Sequence, residues 1–185
     1  MQNNRQNNAK QRKTIRLKGY DYSQPGFYYV TVCTQDRKCL LGKIIDRKMV
    51  LNEMGEIVKK WWLEIPKRFN GVKLDEYQLM PNHIHGIIII WRDNRVNGRD
   101  NRAPTLGKII AYFKYQSTKQ INQYLVGAGL IPPSGFIPTN IIKKIFQRNY
   151  YEHIICNENE LNNVRQYIID NPNNWEKDEN NPQLI

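Results

Sequence analysis

Histidine is scarce in this 185-residue chain. There are three in all, and two of them, His83 and His85, fall in the stretch Met80-Pro81-Asn82-His83-Ile84-His85-Gly86. If His83 opens a β-strand, residues two apart point to the same face, so the two imidazoles stand side by side while Ile84 turns into the core. Neutral imidazole is a common ligand for divalent cations, and one strand face holds two at a workable separation. The same spacing also fits the ordinary polar-apolar alternation of a half-buried strand.

A second group of reactive types lies near the C-terminal end, in Val164-Arg165-Gln166-Tyr167-Ile168-Ile169-Asp170-Asn171-Pro172. On a helix Tyr167 and Asn171 are four apart and share a face. Leu161, Val164 and Ile168 define the buried stripe, and at ~100° per residue the Tyr-Asn pair falls on its flank. A flank position faces both core and cleft: a phenol there can reach substrate, and an amide oxygen can reach a metal. The plainer reading is an aromatic edging the core and a helix-end asparagine beside a proline.

The elements that must position these residues can be read from the pattern. Phe27 to Thr34, after Pro25-Gly26, is rich in β-branched and aromatic residues and predicts a strand. Lys43 to Asn52 predicts a small hairpin turning near Asp46-Arg47. From Glu53 to Phe69 the apolar residues Met54, Ile57, Val58, Trp61, Trp62 and Ile65 recur at helical spacing. Val72 to Met80 and His83 to Trp91 predict strands, with Pro81-Asn82 at their junction. Residues 92–102 are polar and predict an exposed connection. Thr105 to Leu125 predicts a long helix and Gly127 to Thr139 a Gly- and Pro-rich loop. Asn149 to Cys156 predicts a fourth main strand. Asn157 and Glu160 form the pattern of a capping box opening a helix that Pro172 ends. The tail from Asn173 is polar apart from Trp175. The resulting order βαββαβ predicts an α+β, ferredoxin-like core: an antiparallel sheet with helices on one face, plus a C-terminal helix carrying the tyrosine. The expected organisation is a flexible basic arm at 1–18, one catalytic domain at 19–175 and a polar tail at 176–185.

Charge points to a partner class. There are 28 Lys and Arg against 17 Asp and Glu, a net charge of +11. Such a surplus in a domain this small favours a polyanion. The apolar runs are too short for a membrane span and no secretory signal is visible, so no membrane association is expected. Cys33, Cys39 and Cys156 are odd in number and never spaced C-x-x-C, which argues against a disulfide framework or thiolate zinc site and fits a reducing cytosol.

Taken together, Met80-Pro-Asn-His-Ile-His-Gly, the closing pattern Phe146-Gln-Arg-Asn-Tyr-Tyr-Glu-His-Ile-Ile with Tyr167-Ile-Ile-Asp-Asn-Pro, and the early Arg16-Leu-Lys-Gly-Tyr-Asp-Tyr resemble the IS200-like tyrosine transposases, specifically their REP-associated branch. The resemblance runs from about Arg16 to Trp175. It implies His83, His85 and Asn171 as ligands of a divalent metal, Mg²⁺ or Mn²⁺, and Tyr167 as the nucleophile. IS200-type members have Gln where this chain has Asn171; the REP-associated branch has Asn. It also implies cleavage and rejoining of single-stranded, hairpin-bearing DNA through a 5′-phosphotyrosine link, in the cytoplasm of a prokaryotic cell and near its nucleoid. The family includes dimers and monomers, so both states stay open. Arg12, Lys13, Lys114, Arg148 and Arg165 are candidate DNA contacts, with Lys108, Lys119, Lys143 and Lys144 as further cations. Tyr150 and Tyr151 are competing tyrosines, expected to be structural or stacking residues. His153 and Glu152 are candidates for lesser roles near the metal. A DNA-binding regulator without turnover, and a replication-initiator or relaxase-type nickase, are alternatives on the same scaffold.

Overall fold

The computed structural model describes residues 21–91, 104–130 and 144–184. The expected arm, with Arg12 and Lys13, the connection at 92–102, Lys143 and most of the Gly- and Pro-rich loop lie outside them. The elements in chain order are β1 (Gly26–Cys33), β2 (Gly42–Ile45), β3 (Lys48–Leu51), α1 (Glu53–Leu63), α2 (Ile65–Arg68), β4 (Val72–Met80), β5 (His83–Ile90), α3 (Leu106–Gly127), β6 (Tyr151–Ile155) and α4 (Glu158–Asp170). A 3₁₀ segment, Asn171–Lys177, continues directly from α4.

β4, β5, β1 and β6 lie side by side in that order, every neighbouring pair antiparallel. With α1 and α2 between β1 and β4, and α3 between β5 and β6, this is the ferredoxin-like βαββαβ topology. The strands alternate as a sheet buried on both faces requires. On β1, Tyr28, Val30 and Val32 point into the main core with Ile84, Ile88 and Ile90 of β5, and they are met there by Val58, Trp62, Ile109, Ile110 and Phe113 of α1 and α3. The opposite face carries Phe27 and Tyr29 of β1 and Ile87 of β5, covered by Leu161, Val164 and Ile168 of α4. α4 therefore lies across the sheet from the other long helices.

Two local features depart from the simple pattern. The helical run from Glu53 is not continuous to Phe69: it breaks at Glu64, and Pro66 falls in the first turn of α2, where a missing N–H costs least. The small hairpin turns at Asp46-Arg47 as expected, both with positive φ (48° and 61°), the type I′ geometry that matches strand twist. The fourth strand is shorter than the run Asn149 to Cys156 implied, and Phe146 forms an isolated bridge with Thr34 instead.

Candidate metal and tyrosine site

β4 and β5 are joined by the two residues Pro81 and Asn82, so His83 enters the sheet at once, paired with Met80 on one side and Cys33 on the other. His85 pairs with Gln78 and Thr31. Both imidazoles lie on the α4 face and are buried. Gly86 follows because the other face has no room: a Cβ there would lie 2.3 Å from Cζ2 of Trp62. The indole presses on the sheet directly behind the histidines.

The tautomer of His83 can be read from its neighbours. The Asn82 amide nitrogen donates to the carbonyls of Arg37 (2.9 Å) and Asn180 (2.7 Å), which fixes the amide orientation. Its oxygen lies 2.8 Å from His83 Nδ1 and can only accept. Nδ1 therefore carries the proton, and Nε2 presents a lone pair. That lone pair faces His85 Nε2 at 2.9 Å. His85 Nδ1 meets two hydroxyls, Tyr29 Oη at 2.8 Å and Thr31 Oγ1 at 2.9 Å. His85 can thus hold its proton on Nε2, donating to His83, or on Nδ1, donating to a hydroxyl oxygen. In the second state two lone pairs converge, and loading a cation needs a tautomer shift but no net proton loss.

Burial holds both rings neutral. His83 is pushed down to about 3, with Arg37 adding to the effect, and His85 lies well below its ordinary value for the same first cause, reinforced by His83. Two further oxygens are buried without hydrogen-bond partners: Asn171 Oδ1, where the tyrosine-bearing helix ends, and Asp178 Oδ2. Unsatisfied buried oxygens are costly, and a cation at the imidazoles would supply what Asp178 Oδ2 lacks. Asp178 Oδ2 is 3.6 Å from His83 Nε2, and one ligand atom from each of His83, His85 and Asp178 lies within 4.8 Å of the others. Nitrogens each ~2.1 Å from one ion and at right angles would be about 3 Å apart; the Nε2 pair has that separation. The donor set is imidazole plus oxygen, which suits borderline and hard divalent ions.

Asp178 was not legible as a site residue. It belongs to the segment expected to be a polar tail, where Trp175 and the last two residues, Leu184 and Ile185, are the strongly apolar ones and no periodicity signals return to the core. The structure buries Asp178, Asn180 and Asn181 there. Asp178 Oδ1 accepts from the Asn180 backbone N–H (2.7 Å) and side-chain amide (3.1 Å), leaving Oδ2 toward His83. Arg37 donates to the Glu179 carbonyl (2.9 Å). The ring of Trp175 lies 6.2 Å from that of His83.

Tyr167 is brought to the same place. Its ring centroid is 5.4 Å from His85 and 6.3 Å from Tyr29, edge-on to both, and the residue is 49% exposed. Burial of its other half raises the phenol above its ordinary value; hydrogen bonds from Asn171 and Tyr29 act the other way. Burial raises Tyr29 further, and Thr31 opposes this. The Asn157 side chain caps α4, accepting from the Glu160 N–H (2.9 Å). Glu160 completes the start by reaching the Cys156 N–H (2.7 Å), one residue earlier than a capping box requires. A bulge at Asp75 and Glu76 of β4 aims Asp75 at the helix, where Arg165 donates to both its oxygens (2.9 and 2.7 Å).

The open side of the site is a cleft of about 580 Å³ whose lining includes Tyr29, His85, Tyr151, His153, Tyr167 and Asn180. The other candidates disperse. Arg148 is exposed, near the cleft rim. Arg165 is engaged by Asp75. Lys114 donates to the carbonyls of Gln147 (2.9 Å), Arg148 (3.3 Å) and Asn149 (3.0 Å), and its burial pushes it down to about 8. His153 pairs with Glu160 and not with the histidine pair. Tyr151 is half exposed in the cleft, 6.0 Å ring to ring from Tyr29. Cys33, Cys39 and Cys156 are free thiols. No helix among the described residues is long and apolar enough to cross a membrane.

Fold and site define a class: a ferredoxin-like α+β domain with two imidazoles on a central strand and a tyrosine on a C-terminal helix packed against them. No protein-family model matches the chain. An uncharacterized protein of Haemophilus influenzae is 36% identical over 182 residues, 91% of this chain and 92% of that protein. A putative REP-associated tyrosine transposase of the same organism is 27% identical over 153 residues, 82% of this chain and 73% of that protein. A solved REP-associated tyrosine transposase bound to a REP hairpin has a TM-score of 0.57 at 16% identity, over 86% of this chain and 73% of that one, a likeness of fold. The chain belongs to one family with the first of these proteins, and it resembles the REP-associated tyrosine transposases.

Proposed function

We propose that this chain is a metal-dependent, single-tyrosine DNA strand transferase of the REP-associated transposase type, cutting and rejoining single-stranded, hairpin-bearing DNA. The observation that carries the reading is the convergence of the Tyr167 phenol, two neutral imidazoles and the unpartnered Asp178 oxygen, with Tyr167 and His85 opening on one cleft. Its likeness to a relative solved on a REP hairpin supports hairpin DNA as the substrate. The net charge of +11 suits a polyanionic partner.

His83, His85 and Asn171 would hold the cation, with Asp178 as an added oxygen ligand. Mg²⁺ or Mn²⁺ bound there would polarise the scissile phosphate and offset the charge that develops in transfer. Tyr29 and Thr31 hold the His85 ring, and Asn82 holds that of His83. Asn171 and Tyr29 would steady the Tyr167 oxygen in the cleft. Tyr167 Oη attacks phosphorus and gives up its proton; the P–O3′ bond breaks, and the departing 3′-oxygen takes a proton up. The product is a 5′-phosphotyrosine and a free 3′-hydroxyl. A second 3′-hydroxyl reverses the step, so the phosphodiester is conserved and no nucleotide cofactor is consumed. Arg148, with Arg12 and Lys13 of the arm, would contact the DNA backbone. Lys114 and Arg165 would do so only by giving up their present partners. In this reading the catalytic domain expected over 19–175 takes in the segment through Asn181 as well, with a basic arm before it, in the cytoplasm of a prokaryotic cell, as monomer or homodimer.

The test is a hairpin-bearing single strand incubated with Mn²⁺ and resolved on a denaturing gel. Wild type forms a covalent protein-DNA adduct. Tyr167→Phe forms none while retaining DNA affinity. An adduct of undiminished yield from Tyr167→Phe removes Tyr167 as nucleophile.

A further inference from the structure

Between Asp100 and Glu152 the sequence contains no acidic residue, although it contains Lys108, Lys114, Lys119, Lys144 and Arg148. Part of this stretch folds into a second groove of about 430 Å³, between α3 and residues 144–148. Tyr115, Lys119, Lys144 and Arg148 line it, with the neutral polar Thr118 and Asn122 and without a carboxylate. Lys119, Lys144 and Arg148 are exposed, and none forms an ion pair with the described residues. Tyr115 is 64% exposed, a large aromatic left in solvent.

Two observations separate this groove from an ordinary solvated helix face. First, its wall is built. Lys114 reaches from α3 to three successive carbonyls, those of Gln147, Arg148 and Asn149, and its ammonium lies 5.4 Å from the Tyr150 ring centre. An ammonium has three N–H donors, and three carbonyls lie within their reach. Second, the groove and the cleft meet at one residue. Gln147 lines both, so the segment 144–150 is their shared wall. Exposed cations flanking an aromatic platform are what a single strand requires for backbone attraction and base stacking.

We propose that this groove binds the single-stranded DNA flanking the segment held in the cleft, through its phosphates at Lys119, Lys144 and Arg148 and a base stacked on Tyr115, with Lys114 as the strut that shapes the wall. The proposal rests on the reading that the chain acts on single-stranded DNA. It adds a site at which no bond is made or broken. The strand passes Gln147 to leave the cleft and enters the groove.

The experiment measures fluorescence anisotropy of labelled oligothymidylates in EDTA, where no cutting intervenes, using lengths of about 5 and about 20 nucleotides. Lys119→Glu/Lys144→Glu/Arg148→Glu should bind the longer strand at least about tenfold more weakly, with a salt dependence shallower by about 2 in log-log slope, ~0.7 for each lost phosphate contact. The short strand should lose much less. Tyr115→Ala should weaken the longer strand several-fold with no change in salt slope. The control, Lys43→Glu/Arg47→Glu/Lys48→Glu, makes the same charge change on the exposed β2–β3 hairpin and should bind as wild type does. Equal losses in the two triple variants, or wild-type affinity in the groove variant, overturn the proposal. Circular dichroism melting checks that the variants are folded. Wild type that binds but forms no adduct would fail the catalytic reading while the groove effect stands. Wild type that binds neither an oligothymidylate nor a hairpin-bearing single strand ends both.

Discussion

The two faces of the sheet use the same strands for opposite ends. On β5, Ile84, Ile88 and Ile90 enter a dry core under α1 and α3, while His83 and His85, alternating with Ile84 and Gly86, form the candidate site on the other side, the chemical face of the proposal. On β1, Tyr28, Val30 and Val32 face that core, while Tyr29 and Thr31 hold His85. The dry face is sealed by long helices with wide apolar stripes. The chemical face is covered by a single helix, α4, and the polar strap of residues 171–181, with a small apolar cluster at Ile87, Ile155, Leu161 and Ile168. A buried polar set needs its neighbours held still, and the dry face provides a rigid backing one pleat away. The face that carries the candidate site is the less apolar of the two, because its histidines are desolvated without being packed in hydrocarbon.

The first way to sharpen this contrast is to remove ligands from the chemical face. His83→Ala should weaken Mn²⁺ binding, measured by titration calorimetry, by more than about 100-fold, and Asp178→Asn by about 10- to 100-fold. The asparagine still offers an oxygen to Asn180 but lacks the charge. Melting temperature without metal should change little in Asp178→Asn, since the dry face is untouched. If Mn²⁺ affinity is unchanged in Asp178→Asn, Asp178 only anchors the strap.

The complementary change disturbs the dry face. Gly86→Ala places a methyl inside the contact distance of the Trp62 ring, which is itself fixed edge-on against Phe113 at 5.3 Å. Neither ring is a flexible end that can swing away, so overpacking should cost about 1–3 kcal/mol. Urea unfolding should show a lower midpoint at unchanged slope. A midpoint equal to wild type would mean that the indole moves freely and that the backing is not rigid.

The dry face was the more legible in the sequence. Its strands, long helices and order follow from period-2 and helical spacing, because hydrophobic burial writes a periodic signal. The chemical face was legible only as two fragments, His83-Ile84-His85 and Tyr167 with Asn171, whose meeting required the fold. Asp178 left no signal: it reaches His83 through a strap of Asn, Asp and Glu held by hydrogen bonds, which have no period. The break at Glu64 was also hidden, since Ile65 continues the apolar spacing across it. Arg165 shows what residue type alone leaves out. It was a candidate DNA contact, and in three dimensions its guanidinium meets a carboxylate that a β4 bulge turns toward it.

That ion pair gives the smallest of these effects and the one with a pH signature. Arg165 forks onto Asp75 and so ties α4, and Tyr167 with it, to the edge of the sheet. The Arg165 hydrogen bonds hold the Asp75 carboxyl below its ordinary range, partly opposed by burial. A carboxylate with a depressed folded-state pKa binds fewer protons folded than unfolded. Its contribution is therefore fully present above the usual carboxylate range and drains away as pH falls through and below it. Arg165 is partly in solvent, so the pair contributes at most about 1 kcal/mol. Asp75→Asn should lower stability by that amount at neutral pH, and the gap from wild type should close as acid protonates Asp75. Adduct formation should slow a few-fold at neutral pH, since α4 is held less firmly. Melting curves of both proteins across the acid range provide the check. A gap that stays constant with pH would mean that the asparagine acts through shape alone and that charge does not tie the helix of Tyr167 to the sheet.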